Sequence, residues 1–137
     1  MRIVVDTNVL VSGLLTPGGP CREIIRLVEG GQVSLCLDAR ILSEYSNVLR
    51  RPRLAIDPAE ADSLLETLES VADFCPTLPL PHALPDPKDV TFLAVALAAQ
   101  ADCLVTGNLR HFPAALRCGI RVVSPAEFLG FLRQAGT

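Results

Sequence analysis

Met1-Arg2-Ile3-Val4-Val5-Asp6-Thr7-Asn8 decides the fold. Three consecutive β-branched residues, Ile3 to Val5, stop abruptly at a polar Asp-Thr-Asn. Apolarity that is continuous rather than alternating suits a strand buried on both faces, as in a parallel sheet. The next stretch, Val9 to Leu15, has helical character, so Asp6 falls at the carboxyl end of a central strand. Open α/β sheets place their ligands there. A carboxylate so placed is poorly solvated and needs a cation, a ring of donors or a proton. Simple capping of the following helix by Asp6 or Asn8 is the competing explanation. The other acids of the chain discriminate between the two.

Working outward, strands and helices alternate. A helix is expected from Cys21 to Glu29, stopped by Gly30-Gly31, and a strand from Val33 to Leu37. Asp38 caps a helix over Ala39 to Arg51, which Pro52 ends. Asp57 and Pro58 open another, running to Val71 with Glu60 at its third position. A short strand near Phe74 leads into the Pro-rich stretch Cys75 to Pro87, read as a surface loop. A very apolar helix (Asp89 to Gln100), a strand (Asp102 to Thr106), a short strand (Ile120 to Ser124) and an amphipathic helix (Pro125 to Gln134) complete the chain. The alternation predicts one domain over residues 1–137. Its fold would be a three-layer α/β/α sandwich with a central, mainly parallel sheet of four to five strands.

Composition narrows the function. Half of the 137 residues are hydrophobic and only 4% aromatic, which describes an aliphatic globular core rather than a disordered chain. No apolar run reaches the roughly 18 residues of a membrane span. Met1 leads directly into a strand without a basic n-region, so the expected location is cytoplasmic. The five cysteines are scattered without a C-x-x-C pair, and His82 and His111 are far apart, which argues against zinc or thiol chemistry. The net charge of −3 argues against binding nucleic acid through bulk charge. Arg50-Arg51-Pro52-Arg53 is a local exception, and a guanidinium fork suits phosphate better than an ammonium does. The same run also serves as a cationic helix end.

Two further acids stand out. Glu44 lies on the helix whose apolar stripe is Ile41, Leu42, Tyr45, Val48 and Leu49, about 40° beyond Val48 at 100° per residue, where it is either a snorkelling or paired surface residue or an acid pointing over the sheet end toward Asp6. Asp89 ends the run Asp86-Pro87-Lys88-Asp89 ahead of the most apolar helix, where a helix N-terminus favours ionised carboxylates. Thr106-Gly107-Asn108 closes a strand at the same sheet end as Asp6, though a turn built on Gly107 and Asn108 would suffice locally. Carboxylates without His or Cys favour Mg²⁺ or Mn²⁺ over zinc.

Val4-Val5-Asp6-Thr7-Asn8-Val9-Leu10, Ser43-Glu44-Tyr45, Asp86-Pro87-Lys88-Asp89 and Leu104-Val105-Thr106-Gly107-Asn108, in this order and spacing, resemble a PIN domain of the bacterial VapC-like group. The resemblance implies an Mg²⁺- or Mn²⁺-dependent ribonuclease, the toxin of a type II toxin–antitoxin pair. Asp6, Glu44 and Asp89 would form its acidic core and hold the metal, with Asn8, Thr106, Asn108 and Asp86 in support. Asn108 departs from the family, many members of which carry Asp there, so a second metal would lose a charged ligand. RNA would be held at the rim by Arg40, Arg50, Arg51, Arg53 and Arg110, with His111 beside them. An antitoxin partner and a homodimer are also implied, the helix Pro58 to Val71 offering one face for the latter. Two rivals remain: a phosphotransfer hydrolase with Asp6 as nucleophile, which usually needs an acid at position 8, and a non-catalytic PIN module that binds RNA or protein.

Overall fold

The computed structural model of the chain describes residues 1–75, 84 and 89–135. Its centre is a sheet of five strands, all paired in parallel, in the order β3-β2-β1-β4-β5. The strands are β1 (Arg2–Val5), β2 (Ser34–Leu37), β3 (Asp73–Phe74), β4 (Cys103–Val105) and β5 (Val122–Val123). Helices α1 (Thr7–Leu15), α2 (Pro20–Glu29), α3 (Ala39–Leu49), α4 (Pro58–Val71), α5 (Val90–Ala98) and α6 (Pro125–Ala135) complete the expected α/β/α sandwich.

The burial expected of the first strand is present. Ile3, Val4 and Val5 are all buried, with β2 on one side and β4 on the other. The chain leaves β1 toward β2 and β3, then returns past β1 to β4 and β5. The carboxyl ends of β1 and β4 therefore flank the point where strand order reverses, the crevice at which such sheets bind ligands. Register fixes what meets there: Val5 pairs with Val105, so Asp6 and Thr106 emerge side by side.

Local chemistry explains the helices that frame this crevice. The Asp38 carboxylate accepts the Ile41 amide proton at 2.9 Å and starts α3, which buries Ile41, Tyr45 and Leu49. Asp57 accepts from the Ala59 amide at 2.9 Å, and Pro58 takes the first position of α4, which buries Ala61, Leu64, Leu65 and Leu68. Helix α5 packs against β1, β2 and β4, and Phe92 to Ala96 are all buried.

Several boundaries differ from expectation. Helix α3 stops at Leu49 rather than Arg51, because Pro52 forces the preceding residue out of helical geometry; Arg51 has ψ 124°, and a 3-10 turn follows over Pro52–Leu54. Helix α5 ends at Ala98, since Gln100 turns left-handed at φ 52°. Strand β5 is only two residues long, after a turn in which Cys118 and Gly119 both have positive φ. Most of the expected Pro-rich loop, including Asp86, lies outside the described residues. Among the described residues no helix is long and apolar enough to cross a membrane.

Candidate functional site

Asp6 is buried, with 6% of its surface exposed, at the end of β1. Its Oδ2 accepts from Thr106 Oγ1 at 2.7 Å and from Asn8 Nδ2 at 3.3 Å. Burial raises its carboxyl above the ordinary range, the Thr106 hydroxyl opposes that, and the negative charge of Glu44 raises it further. Glu44 is half-buried on α3, and its Oε2 accepts from the Thr7 hydroxyl. The edge position read from helix periodicity thus places Glu44 over the start of α1, inside the field of Asp6.

Between these acids runs a scaffold. The Tyr45 hydroxyl donates to the carbonyl of Val5, the residue before Asp6. Complete burial drives that phenol well up from its usual value, and the charges of Asp6 and Glu44 add to the rise. Gly107 N–H donates to Asn8 Oδ1 at 3.1 Å, and Asn108 N–H donates to Thr106 Oγ1 at 3.0 Å. The Thr-Gly-Asn run is therefore tied to the Asp-Thr-Asn run by two bonds, Thr106 to Asp6 and Gly107 to Asn8, while the Asn108 amide braces Thr106.

The Asp89 carboxylate, 5% exposed, stands at the N-terminus of α5. His111 Nδ1 approaches its Oδ2 to 3.0 Å, within ion-pair distance but without the alignment of a full hydrogen bond. On the other side of the ring, His111 Nε2 faces Asn108 Nδ2 at 2.8 Å. His111 thus sits between two site residues rather than standing apart on an outer rim.

These residues offer a hard cation oxygen ligands, among them two carboxylates, Asp6 and Glu44, held in one another's field. That donor set fits Mg²⁺ or Mn²⁺, which take one or two carboxylates and complete their shell with water and substrate phosphate. Relief of the Asp6–Glu44 repulsion would favour binding. A closed cage is a different matter: among the described residues no group of three or more His, Cys, Asp and Glu side chains is arranged to hold a metal.

The chain belongs to the PIN domain family. The family's model matches residues 2–110, the span that carries every residue named above except His111. Two solved structures share the fold of this PIN domain. VapBC2 from Rickettsia felis, determined bound to a DNA fragment from their promoter, aligns with 13% identity and a TM-score of 0.60, covering 90% of this chain and 98% of that one. PAE2754 from Pyrobaculum aerophilum aligns with 18% identity and a TM-score of 0.60, covering 100% of this chain and 91% of that one. A comparison with curated proteins finds no match.

The arginines divide into two groups. Arg40 is exposed on the first turn of α3, with Nε 3.1 Å from Asp38 Oδ2. Arg110 is exposed and helps line a hollow of about 400 Å³ with Asn8, Ser12, Cys21 and Asn108. Both lie near the sheet end that carries Asp6. Arg50, in contrast, is six residues beyond Glu44, or about 9 Å farther along the helix axis. It pairs with Asp62 at 2.8 Å and bonds Ser46 at 3.0 Å. Arg51 and Arg53 follow at that remote end, exposed. A larger groove, about 760 Å³ between α3 and α4, is lined by Leu42, Asp62, Leu65, Glu66 and Phe74 and includes neither Asp6 nor Asp89.

Three participants escaped the sequence reading: Thr7, Tyr45 as a hydrogen-bond donor, and the bridging position of His111. Only His111 had a local signal, its spacing three residues after Asn108 across one tight turn.

Proposed function

We propose that this PIN domain is an Mg²⁺- or Mn²⁺-dependent endoribonuclease of the VapC type, the toxin partner of a small antitoxin. The observation that carries the reading is the buried Asp6 carboxylate at the strand switch point, raised by burial and by Glu44 and fixed by Thr106 and Asn8. A bound divalent ion would supply an activated water and offset the charge that builds on a phosphodiester. Asp6 and Glu44 would hold that ion, with Asp89 as the third acid of the reading. Thr106 and Asn8 keep the Asp6 oxygens in one orientation, so little ordering is left for the moment of reaction. Asp86 would add a further acid.

An acidic centre repels its own substrate, so exposed cations must carry the RNA strand. Arg40 and Arg110 are placed for this, while Arg50, Arg51 and Arg53 could meet only a strand running along α3. The VapBC2 structure from Rickettsia felis, solved with DNA from its promoter, supports an antitoxin partner by analogy of fold. A homodimer, a single domain over 1–137 and a cytoplasmic location belong to the same reading.

Asn108 favours a second reading, a non-catalytic PIN module, because an amide replaces a carboxylate beside the site. One experiment separates the two. Wild type and Asp6→Asn are titrated with Mn²⁺ on a mixed RNA pool. Cleavage that requires metal and falls about a hundredfold in the variant supports the nuclease. Cleavage surviving chelation or the Asp6→Asn change would refute it.

A further inference from the structure

We propose that His111 is a positioning residue that aims Asp89, and that Asn108 is its matched partner. The idea rests on the ribonuclease reading for its purpose but on separate contacts for its geometry. His111 Nδ1 lies 3.0 Å from Asp89 Oδ2, and Nε2 lies 2.8 Å from the Asn108 amide nitrogen. Asn108 Nδ2 is a donor, so Nε2 must accept. A neutral imidazole has one proton, which then resides on Nδ1, facing the carboxylate. Of the two neutral tautomers, this one alone makes both contacts favourable. The Nε2–H tautomer would set two lone-pair atoms against each other at Asp89.

The consequence is a continuous line of polar contacts joining acids from two elements. Asp6 Oδ2 accepts from Thr106 Oγ1, which accepts from Asn108 N–H; the Asn108 side chain meets His111, and His111 meets Asp89. The end of β1 and the start of α5 are thereby tied through the loop after β4. Asparagine at 108 also acquires a reason. A carboxylate there could not donate to Nε2 and would pull the ring proton away from Asp89. His111 lies just past the matched span of residues 2–110, so family-level patterning does not reach it.

The test uses the two amides that mimic opposite ends of the ring. Asparagine at 111 puts an N–H donor near the Nδ1 position, and glutamine puts an amide near Nε2. If His111 acts through the Nδ1 proton that faces Asp89, His111→Asn retains Mn²⁺ affinity within about threefold by calorimetry. His111→Gln and His111→Ala lose about ten- to a hundredfold, the usual cost of removing the group that orients a metal ligand. A purely structural ring would make Asn and Gln behave alike, and that result overturns the proposal. Thermal melts of all three variants in chelator verify that each is folded.

A second readout needs no metal. Long-range ¹H–¹⁵N spectra of the metal-free wild type, assigned against His111→Asn, should show the His111 proton on Nδ1 with Nε2 bare. A proton on Nε2 refutes the bridge. A wild type that shows the Nδ1–H tautomer yet binds no Mn²⁺ would refute the nuclease reading and leave the bridge standing.

Discussion

Thr106→Val isolates the strut on which the site hangs. Thr106 is wholly buried; its hydroxyl donates to Asp6 at 2.7 Å and accepts from the Asn108 amide at 3.0 Å. Valine keeps the shape and removes both bonds. A hydrogen bond to an ionised group contributes about 1.5–3 kcal/mol, and leaving the part-buried Asn108 N–H unmet adds about 0.5–1 kcal/mol. The loss should therefore be about 2–4 kcal/mol at a pH above the raised Asp6 titration, with pH 8 as the high-pH measurement. Below the ordinary carboxyl value of 3.8 Asp6 is protonated, its bond to Thr106 becomes a neutral one, and the loss should shrink to about 1–2.5 kcal/mol. The direction follows because the Thr106 bond lowers an Asp6 carboxyl that burial raises. Without it the carboxyl climbs further, and the gap from wild type opens as pH rises through the Asp6 titration. Urea denaturation in chelator at both pH values measures it, with Thr106→Ser as control. The serine variant keeps the hydroxyl and should lose only about 1 kcal/mol, for one methyl, at either pH. Equal losses for the valine variant at pH 8 and below pH 4 would show that the hydroxyl does not serve the Asp6 charge.

Four other outcomes are expected. Because the folded Asp6 carboxyl is raised, its stabilising contribution is full below 3.8 and disappears as pH rises through the folded value; Asp6→Asn in chelator should flatten that decline and melt above wild type at neutral pH. Adding Mn²⁺ at a hundred times its dissociation constant should then stabilise wild type by about 2.7 kcal/mol and the variant far less, an unchanged wild-type melting temperature being the adverse result. Removing Arg40 or Arg110 should flatten the salt dependence of RNA binding by about 0.7 in log–log slope for each phosphate no longer neutralised, while Arg50→Ala should leave it unaltered. With a thiol reagent, exposed Cys118 should react first; burial pushes Cys36 and Cys103 from 9.0 to about 11, about a hundredfold less thiolate than at the ordinary value, and they should lag.

The sheet was readable in the chain because burial on two faces leaves unbroken apolar runs such as Ile3-Val4-Val5 and Cys103-Leu104-Val105. Helix starts were legible where a side chain caps its own backbone, as Asp38 and Asp57 do. The two-residue strands were placed, near Phe74 and within Ile120 to Ser124, but not their ends, and the left-handed turn at Cys118-Gly119 leaves no comparable trace. The network at the site was partly accessible. Once β1 and β4 are taken as parallel neighbours, pairing Val5 with Val105 sets Asp6 beside Thr106, a hundred residues away. The bonds of Tyr45 and His111 were not, because each depends on how a helix or loop is docked. Periodicity says that Tyr45 faces inward and is silent on what its hydroxyl meets. Charge spacing likewise marked the Arg50 to Arg53 run without showing that α3 carries it away from Asp6.

Placing β1 in the middle of the sheet has a kinetic corollary. Ile3 is paired with Leu35 of β2 on one side and Cys103 of β4 on the other, and the Asp6 amide is bonded to the Val105 carbonyl at 2.9 Å. Fraying that begins at the outermost strands cannot free these amides, so their deuterium uptake should track complete unfolding of the sheet. A molecule partly opened by heat or proteolysis would then keep its acid in place until the last cooperative step, and lose it all at once.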